Sequence, residues 1–263
     1  MPEHMHGANG SRQPTILDIC SFAVRSKGLQ MKRALADAAA GPPRIKMGRV
    51  EEYPFVLTES VSPLLTSHSP AERPLLLGKM ENLRIACSRL HGRVLERGEV
   101  FSFWRQVGPP WRIRGFVTGR EVRSGCIIPT TGGGLCQLSG SLLELAVALG
   151  FEITERHSHT ALPPDVLSDP RRDATVFWNY VDLRFRSSLP VLFESYVTQD
   201  DLIVKLRGMK PRPTLPVKDQ LVQLTQITQK VQVESCYTCN EVGCIRHQGR
   251  GPLSEGSESE CSS

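Results

Sequence analysis

Three consecutive glycines followed directly by an apolar helical pattern constrain this chain more than any other feature. Residues 132–134 permit backbone conformations and close approaches that a side chain would block. Over residues 136–149 apolar side chains recur at three- and four-residue steps, and Gly150 provides a stop. The spacing therefore predicts a helix that begins where the glycines end.

The patterns on both sides of this helix predict an α+β fold. Amphipathic spacing predicts a helix over residues 75–90, and helical character extends over residues 16–40. Five segments are predicted as strands: 53–57, 151–159, 174–186, 191–197 and 202–207. The first is expected at an edge, because Pro54 cannot donate to a ladder, and the last three as an antiparallel meander with 174–186 in a central position. We expect short helices packed on a mainly antiparallel sheet.

Length and composition bound the organisation of the chain. A chain of 263 residues with 40% hydrophobic and 22% charged residues is neither wholly disordered nor fibrous, and it needs no disulfides to fold. We expect five parts: an N-terminal tail and helical segment (1–49), an α+β domain (50–207), a linker and strand segment (208–234), a Cys/His-rich appendage (235–248) and a disordered tail (249–263).

The charge and hydropathy patterns narrow the partners and the location. The net charge of +5 is thinly spread, and the aromatic and basic residues between 101 and 123 are better explained by packing and a solvated loop than by nucleic-acid binding. The apolar stretches near residues 16–24 and 141–151 are interrupted by acids and are shorter than the roughly 20 residues of a membrane span. The sequence therefore predicts a cytoplasmic protein with no membrane span and no nucleic-acid partner.

A cysteine, two histidines and an acid form the first candidate site. Cys136 begins the predicted helix, where unsatisfied N–H groups and the helix dipole favour a nucleophilic thiolate. His157 and His159 would share one face of a strand, and Asp173 would open the next strand. Papain-like and transglutaminase-like enzymes use this order of elements. The sequence predicts Cys136 as nucleophile, His159 as base with His157 as the alternate, Asp173 as orienter, and Gln137 or helix N–H groups as oxyanion donors.

The same residues also allow interpretations without catalysis. Cys136 fits a small buried residue at a loop–helix junction, and the histidines fit structural polar groups. Cys136 with both histidines also fits a metal site.

A ligand pocket is a further alternative. Gly132, Gly133 and Gly134 lead into a helix N-terminus, which could hold an anionic small molecule or a peptide terminus, with Arg114 nearby. In that case the protein would be a non-catalytic binding or scaffold protein.

The chain carries a series of short motifs: RGEVFSFW at 97–104, VGP at 107–109, RGF at 114–116, GGGLCQ at 132–137, ERHSH at 155–159, DATV at 173–176 and NYVDL at 179–183. Through these motifs, residues 50–207 resemble the VanW (vancomycin-resistance accessory protein W) family. Arg97 stands where the family usually has proline, and Ser139 and Gly140 stand where many members have Ser-Ser or Ser-Asn.

The resemblance implies a bacterial protein associated with glycopeptide resistance and the cell wall. The resemblance implies no defined reaction, because proteins that share a fold can differ in function, which depends on the residues of the site. Combined with the candidate site, it leads us to expect a cysteine-dependent hydrolase or acyltransferase that acts on a peptide or cell-wall precursor.

A second candidate site lies after the proline-rich linker. Cys236, Cys239, Cys244 and His247 follow the spacing C-x2-C-x4-C-x2-H, which suits a tetrahedral structural zinc site. An iron–sulfur cluster is a less favoured occupant, and a metal-free thiol-rich loop or a redox pair remains an alternative. Such a small module would position a protein partner rather than perform chemistry.

Overall fold

The computed structural model describes residues 16–65, 70–123, 126–159, 161–162, 171–211 and 232–233. The predicted tail over residues 1–14, most of the linker, the Cys/His-rich appendage and the C-terminal tail lie outside these residues.

The three longest helices of the described residues lie where the sequence patterns predict them, whereas a fourth, short helix has no counterpart in the predictions. They are α1 (Ile16–Ala40), α2 (Arg73–Leu90), α3 (Phe103–Val107) and α4 (Leu135–Ala148), with short 3-10 turns at Val50–Glu52 and Arg112–Arg114. Helix α4 begins and ends one residue earlier than the predicted helix over residues 136–149. Gly134 caps its start with φ of 101°, a left-handed conformation that favours glycine.

Antiparallel pairing dominates the strands, so the predicted α+β class is confirmed. The strands are β1 (Lys46–Met47), β2 (Phe55–Pro63), β3 (Arg93–Leu95), β4 (Val100–Ser102), β5 (Thr118–Arg123), β6 (Cys126–Thr131), β7 (Glu152–Glu155), β8 (Ala161–Leu162), β9 (Arg184–Arg186), β10 (Val191–Val197), β11 (Asp201–Gly208) and β12 (Gln232–Val233). The largest sheet has the order β1-β3-β10-β11-β2 and is antiparallel throughout. A second antiparallel sheet has the order β4-β9-β7, β5 and β6 form a hairpin, and β8 pairs with β12 in parallel.

The hydrophobic core lies between the large sheet and helices α2 and α4. Leu202, Val204 and Leu206 of β11 alternate with more exposed residues and are fully buried, which gives the sheet one apolar face. Phe101 stacks on Phe185 at 4.6 Å and lies 5.2 Å from Phe193, so these rings join the two sheets. Burial of each such ring stabilises the fold by about 1.5–3 kcal/mol.

Two strand predictions are partly wrong, and both concern segments that carry candidate site residues. The strand predicted over 151–159 ends at Glu155, and of the segment 174–186 only β9 is a strand. The predicted pairing of β10 with β11 is confirmed, but β9 pairs with β4 and β7 instead of completing the meander.

Local hydrogen bonds explain why the segment before β9 does not pair. The buried carboxylate of Asp182 accepts from Ser102 Oγ at 2.6 Å and from the Trp104 and Leu183 N–H groups at 3.2 and 3.0 Å. Side chains that bond nearby backbone compete with strand pairing. Phe177 and Val181 close a tight turn, so the chain reverses where the pattern predicted a continuous strand.

Helix α1 lies against the segments that carry the candidate site. Gln30 Nε2 donates to the Trp178 carbonyl at 2.7 Å, and Arg33 pairs with Glu155. Asp37 accepts from Arg184 at 2.7 Å. Of the helices in the described ranges, none is both long and apolar enough to cross a membrane.

Candidate functional site

Cys136 lies in the first turn of α4, at the position that the sequence predicts. Its side chain is partly buried, and Sγ lies 3.9 Å from the Val176 carbonyl oxygen. The N–H groups at the start of a helix have no partner four residues back, and in this turn the Gln137 N–H donates to the Gly134 carbonyl at 3.1 Å. The thiol therefore lies among backbone donors and beside the segment that follows Asp173.

The glycines before Cys136 are required by close packing against neighbouring backbone and side chains. A Cβ on Gly133 would lie 2.4 Å from the Gly119 carbonyl oxygen, and one on Gly134 would lie 2.0 Å from Cγ of Lys79. Lys79 is 4% exposed, and burial, together with the nearby charge of Arg120, lowers its pKa to about 7. Tight protein packing thus explains the absence of side chains at these positions. The glycines are therefore no evidence for an anion-binding site.

Asn82 joins α2 to this glycine loop and to β5. Its fully buried side chain donates to the carbonyls of Val117 at 3.0 Å and Gly133 at 2.9 Å, and it accepts from the Val117 N–H at 2.9 Å. Because a buried amide that keeps its partners is held in one orientation, Asn82 determines where the chain enters α4.

His159 and Asp173 meet although neither lies on a strand. His159 Nδ1 is 2.6 Å from Asp173 Oδ1, and the His159 N–H donates to both carboxylate oxygens at 3.2 and 3.3 Å. Their side chains are 15% and 4% exposed. With Nδ1 facing Asp173, Nε2 is the ring nitrogen available to the Cys136 thiol.

The pKa of His159 reflects its contacts with both partners. Burial lowers this pKa, but hydrogen bonds to Asp173 and to Cys136, together with their negative charges, raise it to about 10. An imidazole with such a pKa is protonated at neutral pH. The structure therefore brings His159 and Asp173 into contact and places Cys136 close enough to raise the pKa of His159.

His157 does not belong to this group. Its Nε2 lies 3.3 Å from Glu155 Oε1 and its side chain is 47% exposed. The expectation that both imidazoles share a strand face fails because the strand ends at Glu155. The backbone carbonyl of His157 accepts from the Thr175 N–H at 2.8 Å, so this residue helps to hold the segment after Asp173.

The amide of Gln137 is bound to strand β2. Its Nε2 donates to Ser62 Oγ at 2.9 Å and to the Pro63 carbonyl at 2.9 Å. Both amide hydrogens are thereby committed, so Gln137 is not available as the oxyanion donor that the sequence predicts. The first-turn N–H groups of α4 remain as the candidate donors.

Helix α4 also holds the segment that carries Asp173. Ser139 Oγ donates to the Ala174 carbonyl at 2.6 Å, and Arg156 Nε donates to the Asp173 carbonyl at 2.9 Å. A Cβ on Gly140 would lie 2.1 Å from the Arg172 carbonyl oxygen. Ser139 and Gly140 therefore set how closely the segment that carries Asp173 approaches helix α4.

A cavity of about 170 Å³ opens beside Cys136. Glu121 is the charged residue of its lining, and no lysine or arginine occurs among the described residues that line it. Arg114 lies instead against Gly108. The lining is completed by Trp104, Pro110, Val122, Thr130, Thr131, Gly132, Gly133, Gly134, Leu135, Cys136, Thr175, Val176, Phe177 and Trp178. An anionic ligand held by Arg114, one of the alternatives from the sequence, has no support in this lining.

The sequence provided little indication of several residues that build the site. Asn82 and Lys79 lie on a helix face where amphipathic spacing indicates only burial, and Ser139 lies inside α4 without a motif of its own. Their partners are distant in sequence, so no local pattern could have identified them.

Metal binding at Cys136 receives no geometric support. Within the described ranges, no group of three or more His, Cys, Asp or Glu side chains is placed to hold a metal ion. The predicted ligands Cys236, Cys239, Cys244 and His247 lie outside those ranges, so the zinc site stays a prediction.

Comparison with known proteins places the site within a family. Residues 78–207 match the family model described as VanW like protein. This segment, about half of the chain, is therefore VanW-like. The VanW segment includes Asn82, Cys136, His159 and Asp173.

Two curated relatives match over similar lengths. The vancomycin B-type resistance protein VanW of Enterococcus faecalis is 29% identical over 151 residues, which cover 56% of this chain and 55% of that protein. The uncharacterized protein YoaR of Bacillus subtilis is 27% identical over 176 residues, which cover 63% of this chain and 56% of that protein. The chain thus spans about half the length of these relatives. No solved structure matches the chain.

Proposed function

We propose that this VanW-family protein performs cysteine-dependent acyl or amide chemistry on a peptide or cell-wall precursor, with Cys136 as the nucleophile. The observation that supports this proposal is the hydrogen bond of His159 to Asp173, with Cys136 beside an open cavity and close enough to His159 to raise the pKa of the ring. A nucleophile, a proton-transferring group and an orienter in hydrogen-bond reach define this class of site.

The resting state favours the nucleophile. A positive imidazolium next to a thiol, at a helix N-terminus, favours the reactive thiolate. Asp173 holds the ring through Nδ1 and balances its charge. His159 would therefore act first as an acid and only later as a base.

The proposed reaction has two steps. The Cys136 thiolate attacks the carbonyl carbon, a C–S bond forms, and the C–N bond breaks as the leaving nitrogen takes the proton from His159. Water or an amine then attacks the thioester, His159 accepts the incoming proton, and the C–S bond breaks to restore the thiolate. The first-turn N–H groups of α4 are placed to stabilise the oxyanion in both steps.

The class of substrate comes from the relatives. One of them is named as a vancomycin B-type resistance protein, and cell-wall precursors present peptide amides on which such chemistry could act. This step is an analogy between family members, which supports a proposal about the substrate but does not establish it.

A generic acyl donor tests the nucleophile without knowledge of the substrate. We expect p-nitrophenyl acetate to acetylate Cys136 first, as seen by peptide mass spectrometry, with a burst of nitrophenolate that is absent in Cys136→Ala. Cys87 is an internal reference, because burial raises its pKa to about 12. Acetylation of Cys136 no faster than that of a free cysteine peptide would contradict the proposal and favour a non-catalytic binding protein.

We also propose that residues 235–248 bind structural zinc, on the basis of ligand spacing alone. Elemental analysis of protein expressed with ample zinc is expected to give about one zinc per chain, lost when Cys236 and Cys239 are replaced by serine. Fewer than about 0.3 metal atoms per chain would reject a tight site.

A further inference from the structure

We infer that the cavity beside Cys136 binds a cationic amine, such as the ammonium group of a lysine-like side chain in the substrate. The inference rests on the proposed function, because it names the substrate class of the same site. It concerns recognition, and no chemistry at the amine is required.

Aromatic rings form the walls of the cavity. The chain contains three tryptophans: Trp104 and Trp178 line the cavity, and Trp111 meets Trp178 beside it. Trp104 meets Trp178 edge to face, with ring centroids 5.4 Å apart and planes at 90°. Trp111 also meets Trp178, with ring centroids 6.4 Å apart and planes at 77°, and Trp111 is 55% exposed. Perpendicular indole rings form a corner, and the negative faces of indole rings attract cations.

The polar groups of the cavity also suit a cation. Glu121 supplies a carboxylate, while Thr130 and Thr131 supply hydroxyl oxygens that can accept hydrogen bonds. Thr175 Oγ1 also lies in the wall, buried and with no hydrogen-bond partner in the described part of the chain. An ammonium group has three donors and no acceptor, so it matches a lining of acceptors.

The arginines near the cavity interact with groups outside its lining. Arg112 donates to Thr118 Oγ1 at 3.2 Å, and Arg120 Nε lies 3.3 Å from Glu72 Oε2. Their guanidinium groups are not part of the cavity lining. The described lining therefore carries one acidic side chain, Glu121, and no basic one, which suits a cation better than an anion.

The size of the cavity limits the ligand to one side chain. Its volume of about 170 Å³ is below the roughly 300–1,000 Å³ of pockets that enclose a whole small ligand. A four-carbon ammonium chain suits such a volume, whereas a nucleotide or a whole peptide does not. The exposed Trp111 lies next to the cavity, where the rest of a larger substrate would pass.

Tryptophan fluorescence reports binding at this site, because Trp104 and Trp178 line the cavity and Trp111, the third tryptophan of the chain, meets Trp178. We expect n-butylammonium to give a saturable fluorescence change at pH 7 and constant ionic strength, with 1-butanol and butyrate binding at least about tenfold more weakly. Glu121→Gln is expected to weaken n-butylammonium about tenfold, as for a lost hydrogen bond to a charged group. Glu152→Gln removes the same charge at a 67% exposed side chain and is expected to leave the affinity unchanged.

Equal binding of 1-butanol or butyrate, or full affinity in Glu121→Gln, would overturn the inference. The titration is repeated in Cys136→Ser, because binding does not require the thiol. Acetylation of Cys136 without amine binding would reject the amine inference alone. Amine binding without acetylation would reject the enzyme proposal and leave a binding site for cations.

Discussion

Replacing His159 by alanine is expected to slow the alkylation of Cys136 by iodoacetamide at pH 7 at least tenfold. An ordinary thiol with a pKa of about 8.5 is only about 3% ionised at pH 7, so a fully formed thiolate reacts up to about 30-fold faster. The lower intrinsic nucleophilicity of a stabilised thiolate removes part of this gain. Cys136 lies close enough to His159 to raise the pKa of the ring, so we expect the loss of His159 to return the labelling rate to that of an ordinary thiol. Labelling is quantified for each cysteine by peptide mass spectrometry.

His157→Ala provides the matched control for this experiment. It removes an imidazole two residues away that pairs with Glu155 rather than with Cys136, and we expect it to leave the labelling rate unchanged. Equal rates in the wild type and in His159→Ala would show that the imidazole does not activate the thiol.

Replacing Asn82 by alanine is expected to lower the free energy of unfolding by about 3 kcal/mol. The change leaves the Val117 N–H and the Gly133 carbonyl without the amide, and each buried unsatisfied group costs about 1–3 kcal/mol. The Val117 carbonyl also loses the amide but still accepts from the Gly132 N–H at 3.0 Å. Because Gly133 leads into α4, the same variant should also slow the labelling of Cys136. Urea denaturation measures the first effect.

Ser88→Ala, on the same helix, is the control for Asn82. Ser88 is exposed and bonds only the Ile85 carbonyl of its own helix, so a change within about 0.5 kcal/mol is expected. An Asn82→Ala variant as stable as Ser88→Ala would show that the amide does not hold the glycine loop.

The order of residues along the chain was enough to propose the three residues that meet. Cys136 could be placed at a helix start because apolar spacing and the glycine stop are local properties. The pairing of His159 with Asp173 was expected from the chain order alone, and the structure confirms the contact although it places neither residue on a strand.

The surroundings of these residues could not be obtained in the same way. Residues 174–183 are rich in strand-forming side chains, but their hydrogen bonds go to Ser139, to His157 and, through the Asp182 carboxylate, to the Trp104 N–H. These partners are distant in sequence, so tertiary contacts override the local preference.

The glycine run shows a similar limit. A stretch of glycines indicates that something approaches the backbone closely, without indicating whether it is a ligand or the protein itself. Here Gly119 and the stem of Lys79 fill the space at Gly133 and Gly134. Only the packed structure distinguishes the two explanations.

The titration of His159 tests most directly whether Cys136, His159 and Asp173 act as one unit. In the wild type we expect the ring protons of His159, followed by NMR, to titrate at about pH 10. Cys136→Ala and Asp173→Asn each remove a contact that raises this pKa, so each should move the midpoint downward. A wild-type midpoint near the ordinary histidine value of about 6.5, unchanged in Cys136→Ala, would contradict the coupling of the three residues.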